Sequence, residues 1–515
     1  MSEPDSSPPI ALDLARVPDL AVWSEIIPGI IAGASTWLAC QRWFGDKARQ
    51  LTAIVPIFYD TRIVGEDVYA LLIAETRFFS GEPERYFIPL AATHHPTDYP
   101  GHLVEVSAPD GLWRVVDAFS LPYFRDWLLE LFGMASQISG HGGTFSWRPT
   151  SIIADHFLAA RSAGSRVSTA EQSNTSVVYG DALILKVFRK QQKGLNPDLE
   201  VGHFLAGRTA YRNVPLLVGE FQFALEHEPR AIQSLGMMQT YVPSSGDGWS
   251  YTLRELETWS TEHEQSEAFV RALNLLGRRT GELHLALASD STDHDFAPEN
   301  VTQYAIDGWS QSLVLTLDAT VTALRDRLRT LSAETQDLTS RFIGVRNQLA
   351  ALTRGFATLN LSVRTRVHGD YHLGQVLRTL TDDWMILDFE GEPARPIEAR
   401  REKTSPLKDV AGMIRSFDYA RAASLASHAG EPQVATDATL ANWEKRARNA
   451  FIKGYRDAIS TSPIRIAPLE RAAFTSALRA WELDKALYEI HYELNNRPHL
   501  VNIPLSAALR IASAS

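Results

Sequence analysis

Short apolar runs dominate residues 51–116: LTAIVPIFYD, DVYALLIAETRFF and LWRVVDAF are rich in β-branched and aromatic residues and are broken by Gly, Pro and Asp clusters. That pattern predicts the strands of a small sheet. In PYFRDWLLELFGMASQ (122–137) the period changes, with Trp127, Leu128 and Leu131 at helical spacing, and the glycine-rich SGHGG that follows should end the helix. This glycine stretch is the first predicted boundary and closes an N-terminal β-rich cap domain over 1–140. A second β-rich block, 141–245, contains SVVYGDALILKVFRK, a hairpin turning at Gly180-Asp181, and then NPDLEVGHFLAGR, a helix. From 246 to 515 the spacing is mostly helical: over 266–289, two stretches between 313 and 359, then 409–426, 443–459 and 469–495. One β-like section, VLRTLTDDWMILDFEG, interrupts them, and the Ala/Ser-rich SAALRIASAS at the end reads as frayed. The fold class is α+β, in the order small β domain, β-rich lobe, helical lobe.

Charge narrows the function. The 515 residues carry 50 Lys plus Arg against 61 Asp plus Glu, a net −11, and the most basic run is RREK at 400–403. Duplex nucleic acids are bound by neutralising phosphates with basic patches, so a general nucleic-acid binder is excluded. The single cysteine, Cys40, excludes an intrachain disulfide and a Cys-based zinc site, and its apolar neighbourhood predicts a buried thiol. The polar start MSEPDSSPPI shows no secretory signal, and the apolar window at 26–40 is interrupted by Pro28, Gly29 and Gly33 and falls short of a membrane span. The expectation is a cytoplasmic protein with no membrane partner.

The sharpest chemical feature is VHGDYHLGQVL (367–377) followed by WMILDFEGEP (384–393). Asp370 and Asp388 bracket a strand-turn-strand, which folds back to bring both acids to one edge. Hard oxygen ligands converging there suit Mg2+. A kinase catalytic loop needs an Asp to accept the proton of the attacking hydroxyl, a side-chain carbonyl to hold metal and a second Asp linking metal to nucleotide phosphates. Asp370, Gln375 and Asp388 fill those roles in order. A zinc site on His368 and His372 is disfavoured by Gly369 and by the lack of further ligands.

A kinase also needs a strand lysine for the phosphates and a helix glutamate to hold it. LILKVF places Lys186 among apolar residues in a strand, where an unpaired ammonium is costly, and Glu200 in the next helix is the expected partner. The phosphate-covering turn, EQSNTS (171–176), has no glycine, so Ser173, Asn174 and Thr175 are the expected donors to ATP. The segment GMMQTYVPSSGDGW (236–249) lies where a hinge would meet adenine, with Gln239 and Val242 as ATP-contacting positions, although Met237 and Met238 fit plain core packing equally well.

These blocks, with QRWFGDKAR, SPLKDVAGMIRSFDYA and the terminal DKALYEIHYELNNRPHLVNIPL, resemble the maltokinase family, among the aminoglycoside-phosphotransferase-like and protein-kinase-like sugar kinases. The resemblance runs over 41–505. It implies a bilobal protein-kinase-like fold with an N-terminal cap, ATP and Mg2+ as cofactors, transfer to the anomeric hydroxyl of maltose, and trehalose synthase as a partner. By motif, Asp370 is the base, Gln375 and Asp388 the metal ligands, and Lys186 with Glu200 the phosphate anchor. Related kinases of this architecture act on glucosamine, and a pocket of Asp370, Glu390 and Glu489 suits sugar hydroxyls or an ammonium alike; His372 and Tyr488 complete the expected substrate contacts. The stripe Lys485, Tyr488, Tyr492 is at helical spacing and reads either as core or as a sugar platform. A different class stays open: a non-catalytic pseudokinase partner of a glucan enzyme.

Overall fold

The computed structural model describes residues 10–47, 49–95, 103–140, 142–168, 174–192, 194–262, 267–393, 395–427 and 437–513. They fall into two compact units, one within Met1–Gly202 and Leu216–Tyr241, the other within His203–Pro215 and Val242–Ser515.

The first unit is organised by the strand Asp67–Phe78, which is buried along most of its length. Successive side chains of a strand point to opposite faces, and this one serves a core on each. Val68, Ala70, Leu72 and Ala74 pack with Trp23, Ile27 and Ile31 of the helix Leu20–Ala32. Tyr69, Leu71 and Ile73 pack with Phe58, Phe87, Phe145, Trp147 and Phe221. The strand sits in an eight-stranded sheet that also takes in Leu51–Val64 and Gly111–Asp117, both anticipated from the pattern. The second core is shared with a seven-stranded sheet containing Gly143–Pro149, Leu217–Leu225 and Glu228–Thr240.

The hairpin at Gly180-Asp181 is present: Thr175–Tyr179 pairs antiparallel with Leu183–Val187, Tyr179 opposite Leu183, and Gly180 takes φ +54° at the turn. The chain then leaves this sheet, and Lys190–Gln191 adds a strand to the other sheet beside Glu84–Phe87. Three expectations need correction. The helix starting at Pro122 ends at Gly133, and 137–140 is a strand, because Ala135 adopts φ +49° and turns the chain. Cys40 is exposed: in the short helix Ser35–Cys40 it is Leu38 that faces inward. The C-terminal segment is not frayed but forms the helix Asn502–Ser513, burying Leu505, Ala508 and Ile511.

The second unit is mainly helical, and no described helix is long and apolar enough to cross a membrane. Its organising element is the helix Glu267–Leu287. Helix Asp437–Ile459 lies against it at glycine positions, since a Cβ at Gly277 or Gly454 would collide with the carbonyls of Phe451 and Asn274. Along the same helix, the Ala272 carbonyl accepts from Trp384 Nε1 (2.8 Å), Arg279 makes a bidentate pair with Asp383 (2.9 and 2.7 Å), and the Thr280 hydroxyl meets that of Tyr371 (2.9 Å). These three contacts fix the strand pair Val376–Thr379 and Trp384–Ile386, which is the predicted β-like interruption, together with the loop before it.

Candidate functional site

The loop 367–375 has its backbone tied down before any ligand chemistry begins. Asp409, in helix Leu407–Ser427, accepts from the amides of His368 (2.7 Å) and Gly369 (2.9 Å), and His284 Nε2 lies 3.0 Å from the same carboxylate. Burial pushes the Asp409 carboxyl up, yet His284, His368 and the Gly369 amide outweigh it and hold the group below its ordinary range. His368 Nε2–H donates to the Leu387 carbonyl (2.7 Å), and its Nδ1 accepts from the Asp370 amide (3.4 Å). Both ring nitrogens are thereby occupied, which answers the zinc alternative for His368.

The strand pair then folds back as expected. The Leu387 amide donates to the Gln375 carbonyl (2.9 Å) and Gln375 Nε2 to Asp388 Oδ2 (3.1 Å). Gly369 and Gly391 both have positive φ, and a Cβ on Gly369 would sit 3.1 Å from the Gly391 Cα, so the two acid-bearing segments meet backbone to backbone. Asp388 itself has φ +64°. A non-glycine residue held there stores strain, which persists only where the surroundings enforce it. The Glu390 carboxylate comes within 4.8 Å of that of Asp388. Asp388 and Glu390 thus offer carboxylate oxygens of the kind Mg2+ takes, and Gln375 would add a third oxygen only with its amide turned over from the donor orientation it has here.

Asp370 faces a cavity of about 450 Å3 whose wall also contains His372, Lys485, Tyr488, Glu489 and Glu493, with Trp249, Tyr419 and Tyr492 around them. Lys485 Nζ lies 3.1 Å from Asp370 Oδ1 and 3.2 Å from Glu392 Oε1, and the Lys485 side chain is 12 % exposed. Burial acts to raise the Asp370 pKa, but the ammonium and His372 prevail and hold it below the ordinary carboxylate value. Burial likewise acts against the Lys485 charge, and Asp370, Glu392 and Glu489 together override it, so the ammonium is held above its ordinary value. Glu489 is buried and pushed up despite two bonds from Arg415 (2.9 and 2.7 Å to Oε2). His372 Nδ1 accepts from the Gly374 amide (3.0 Å), and burial lowers its pKa. Burial, then the Glu392 charge, pushes Tyr488 up to about 12.

Of the expected substrate contacts, the structure brings His372, Tyr488 and Glu489 together with Asp370, whereas Glu390 is not in this wall. The stripe on helix Arg471–Asn496 divides: Lys485 is paired with Asp370, Tyr488 lines the cavity and Tyr492 is 45 % exposed at its rim.

In the first unit, Lys186 is 7 % exposed, and its ammonium lies 3.3 Å from Asp198 Oδ2 and 5.9 Å from the Phe188 ring. Asp198 is in the first turn of helix Pro197–Arg208, which Asn196 caps through the amides of Asp198 (2.8 Å) and Leu199 (3.5 Å), with Pro197 at the first helical position. Glu200, the partner read from sequence, is buried in the same turn. Thr175 Oγ1 accepts from Arg189 Nε (2.8 Å), and Asn174 is half-buried beside it. Ser173 lies outside the described residues. Gln239 stands opposite Ile184 near the end of its strand, and Val242 follows two residues after that strand ends. Met237 and Met238 are fully buried, so both are core.

Sequence reasoning missed Asp198, His284, Asp409 and the Asp370–Lys485–Glu392 contact. An acid inside the apolar run LKDVAGMI and a lysine inside DKALYEI were the available signals; their partners lie too far along the chain to be read.

No family model matches the chain. It is 27 % identical over 345 residues to a glucosamine kinase of Mycolicibacterium smegmatis, covering 67 % of this chain and 78 % of that one. It is 24 % identical over 380 residues to a glucosamine kinase of Streptacidiphilus jiangxiensis, covering 68 % and 77 %. Among solved structures, a glucosamine kinase in one crystal form matches with a TM-score of 0.64 at 19 % identity, over 94 % of this chain and 99 % of that one. A glucosamine kinase in complex with glucosamine, ADP and inorganic phosphate matches at 0.62 and 18 %, over 94 % and 99 %. The fold is therefore the mixed α+β, protein-kinase-like one, sheet-rich in its N-terminal part and helical in its C-terminal part.

Proposed function

We propose that this chain is an ATP-dependent phosphotransferase whose acceptor is a hydroxyl of a sugar. The observation that carries the reading is Asp370: a carboxylate kept ionised by Lys485, facing a cavity walled by tyrosines and a tryptophan, on a loop that continues directly into Gln375 and Asp388. Asp370 orients the acceptor hydroxyl and takes its proton. The hydroxyl oxygen bonds to the γ-phosphorus of ATP while the bond from that phosphorus to the bridging oxygen breaks, and ADP leaves. Lys186 holds nucleotide phosphates, with Glu200 and Asp198 beside it, and Asn174, Thr175, Gln239 and Val242 belong to the same nucleotide-binding lobe. Gln375, Asp388 and Glu390 would hold Mg2+, which when bound would offset phosphate charge. Such transfer depends on positioning and electrostatics rather than on covalent help from the protein.

The two named relatives support an aminosugar acceptor better than maltose. Maltose, and with it a trehalose synthase partner, rests on the resemblance carried by the terminal NNRPHLVNIPL. We propose a cap over 1–140, a nucleotide lobe over 141–245 and a helical lobe beyond, with the first two sharing the core around Phe145 and Phe221. The test is magnesium-dependent ATP consumption with maltose, glucose, glucosamine and an aminoglycoside. Stimulation by a sugar is the expected result; if none stimulates ATP use, the pseudokinase reading replaces this one.

A further inference from the structure

The cavity beside Asp370 contains three carboxylates, and each already has a cationic partner from the protein. Asp370 has Lys485 at 3.1 Å. Glu489 takes two bonds from Arg415, at 2.9 and 2.7 Å. Glu493, 1 % exposed, takes two from Arg497 (2.9 and 2.7 Å) and one from the Tyr419 hydroxyl (3.0 Å). The lysine's other acid, Glu392, is shared with Arg395 at 2.6 Å. Each acid of the wall is therefore paired within the protein, with Arg415 shared between Glu489 and Asp418 and Asp418 paired in turn with Arg510 at 2.8 Å.

An ammonium entering such a wall gives up its hydration and finds no uncompensated anion in return. Wherever on this wall the amine lies, it also shares a cavity of about 450 Å3 with the like charge of Lys485. A hydroxyl has no such difficulty: it donates to the second oxygen of Asp370 and accepts from a lysine N–H, while Tyr488 and Trp249 offer apolar faces to the ring.

We propose that Lys485 is a specificity-determining residue that selects uncharged sugars and discriminates against acceptors carrying an ammonium. The inference rests on the sugar-kinase reading and names the acceptor class within it. It sets this chain apart from what the names of its relatives suggest, and it is independent of which neutral sugar is used.

The experiment compares glucosamine, at a pH where its amine is protonated, with glucose, N-acetylglucosamine and maltose. Binding to the whole protein is followed by calorimetry and turnover by ADP release, in the wild type, Lys485→Met and Lys485→Arg. We expect the wild type to favour its best neutral sugar over glucosamine by about tenfold or more in kcat/KM and in binding, the cost of juxtaposing like charges. Lys485→Met lowers turnover with every sugar, because Asp370 loses its partner, but it lowers glucosamine least, so the ratio narrows or reverses. Lys485→Arg keeps the charge and the preference. A wild-type preference for protonated glucosamine overturns the inference and leaves the kinase reading intact, as does an unchanged ratio in a folded, sugar-binding Lys485→Met. If no sugar is turned over, the kinase reading fails, and the binding ratio still decides the selectivity.

Discussion

Each unit of this protein buries a lysine against a carboxylate, and the two pairs are built differently. Lys186 and Asp198 are 12 positions apart, on a strand and the helix that follows it. Their side chains are 9 % and 3 % exposed. Lys485 and Asp370 are 115 positions apart, and there Asp370 keeps 24 % of its side chain exposed, toward a cavity. A pair sealed on both sides satisfies a buried charge; a pair with one open carboxylate leaves an oxygen free to work on something else. That difference separates anchoring from catalysis in terms of solvent access alone.

Three perturbations test this contrast. The largest effect belongs to the open pair: Asp370→Asn should lower kcat by about 10²–10⁴-fold, the range typical of a positioned general base, with nucleotide binding retained by calorimetry. Near-normal turnover in that variant would remove Asp370 from the chemistry. At the sealed pair, Lys186→Met should cost about 10²-fold in kcat/KM for ATP, as the loss of one fixed cationic donor does, and the change should fall mainly on nucleotide KM rather than sugar KM. An equal loss in both would show that the lysine supports the fold and not the nucleotide. The smallest effect is on pH dependence. Asp370 and Glu392 are held below their ordinary carboxylate values, Glu392 by Lys485, Lys408 and Arg395 against the opposing effect of burial. Their stabilisation is complete above the ordinary carboxylate range and is lost as the pH falls through the lowered values. Urea midpoints measured from neutral to acid pH should therefore fall on the acid side, and more gently in Glu392→Gln; an unaltered acid limb would show that the Lys485 contacts carry no such stabilisation.

What could be read from the chain follows the same distinction. The hairpin at Gly180-Asp181, the strand pair after Gln375 and the long helices are local patterns, legible because their period and turn residues lie within one window. Asp370, Gln375 and Asp388 were legible for the same reason, since a strand pair is all that links them. Asp198 was not singled out beside Glu200, although both stand in the first turn of one helix, because which acids of a turn face a strand lysine depends on how that helix meets the strand. Asp409 beneath the loop and Lys485 beside Asp370 depend on packing among helices distant in sequence, which no periodicity encodes. Cys40 shows the limit from the other side: an apolar neighbourhood does not say which residue of a short helix turns inward.

The strand Asp67–Phe78 ties the N-terminal segment to residues beyond 141. Because Tyr69, Leu71 and Ile73 complete the packing around Phe145, Trp147 and Phe221, the N-terminal segment is not an accessory that can be cut away. A shortened chain beginning at residue 141 would wet an aromatic face that the intact protein keeps dry, and it would be expected to clump during expression rather than yield a smaller working enzyme. For anyone engineering this chain, the economy of a minimal version is not available.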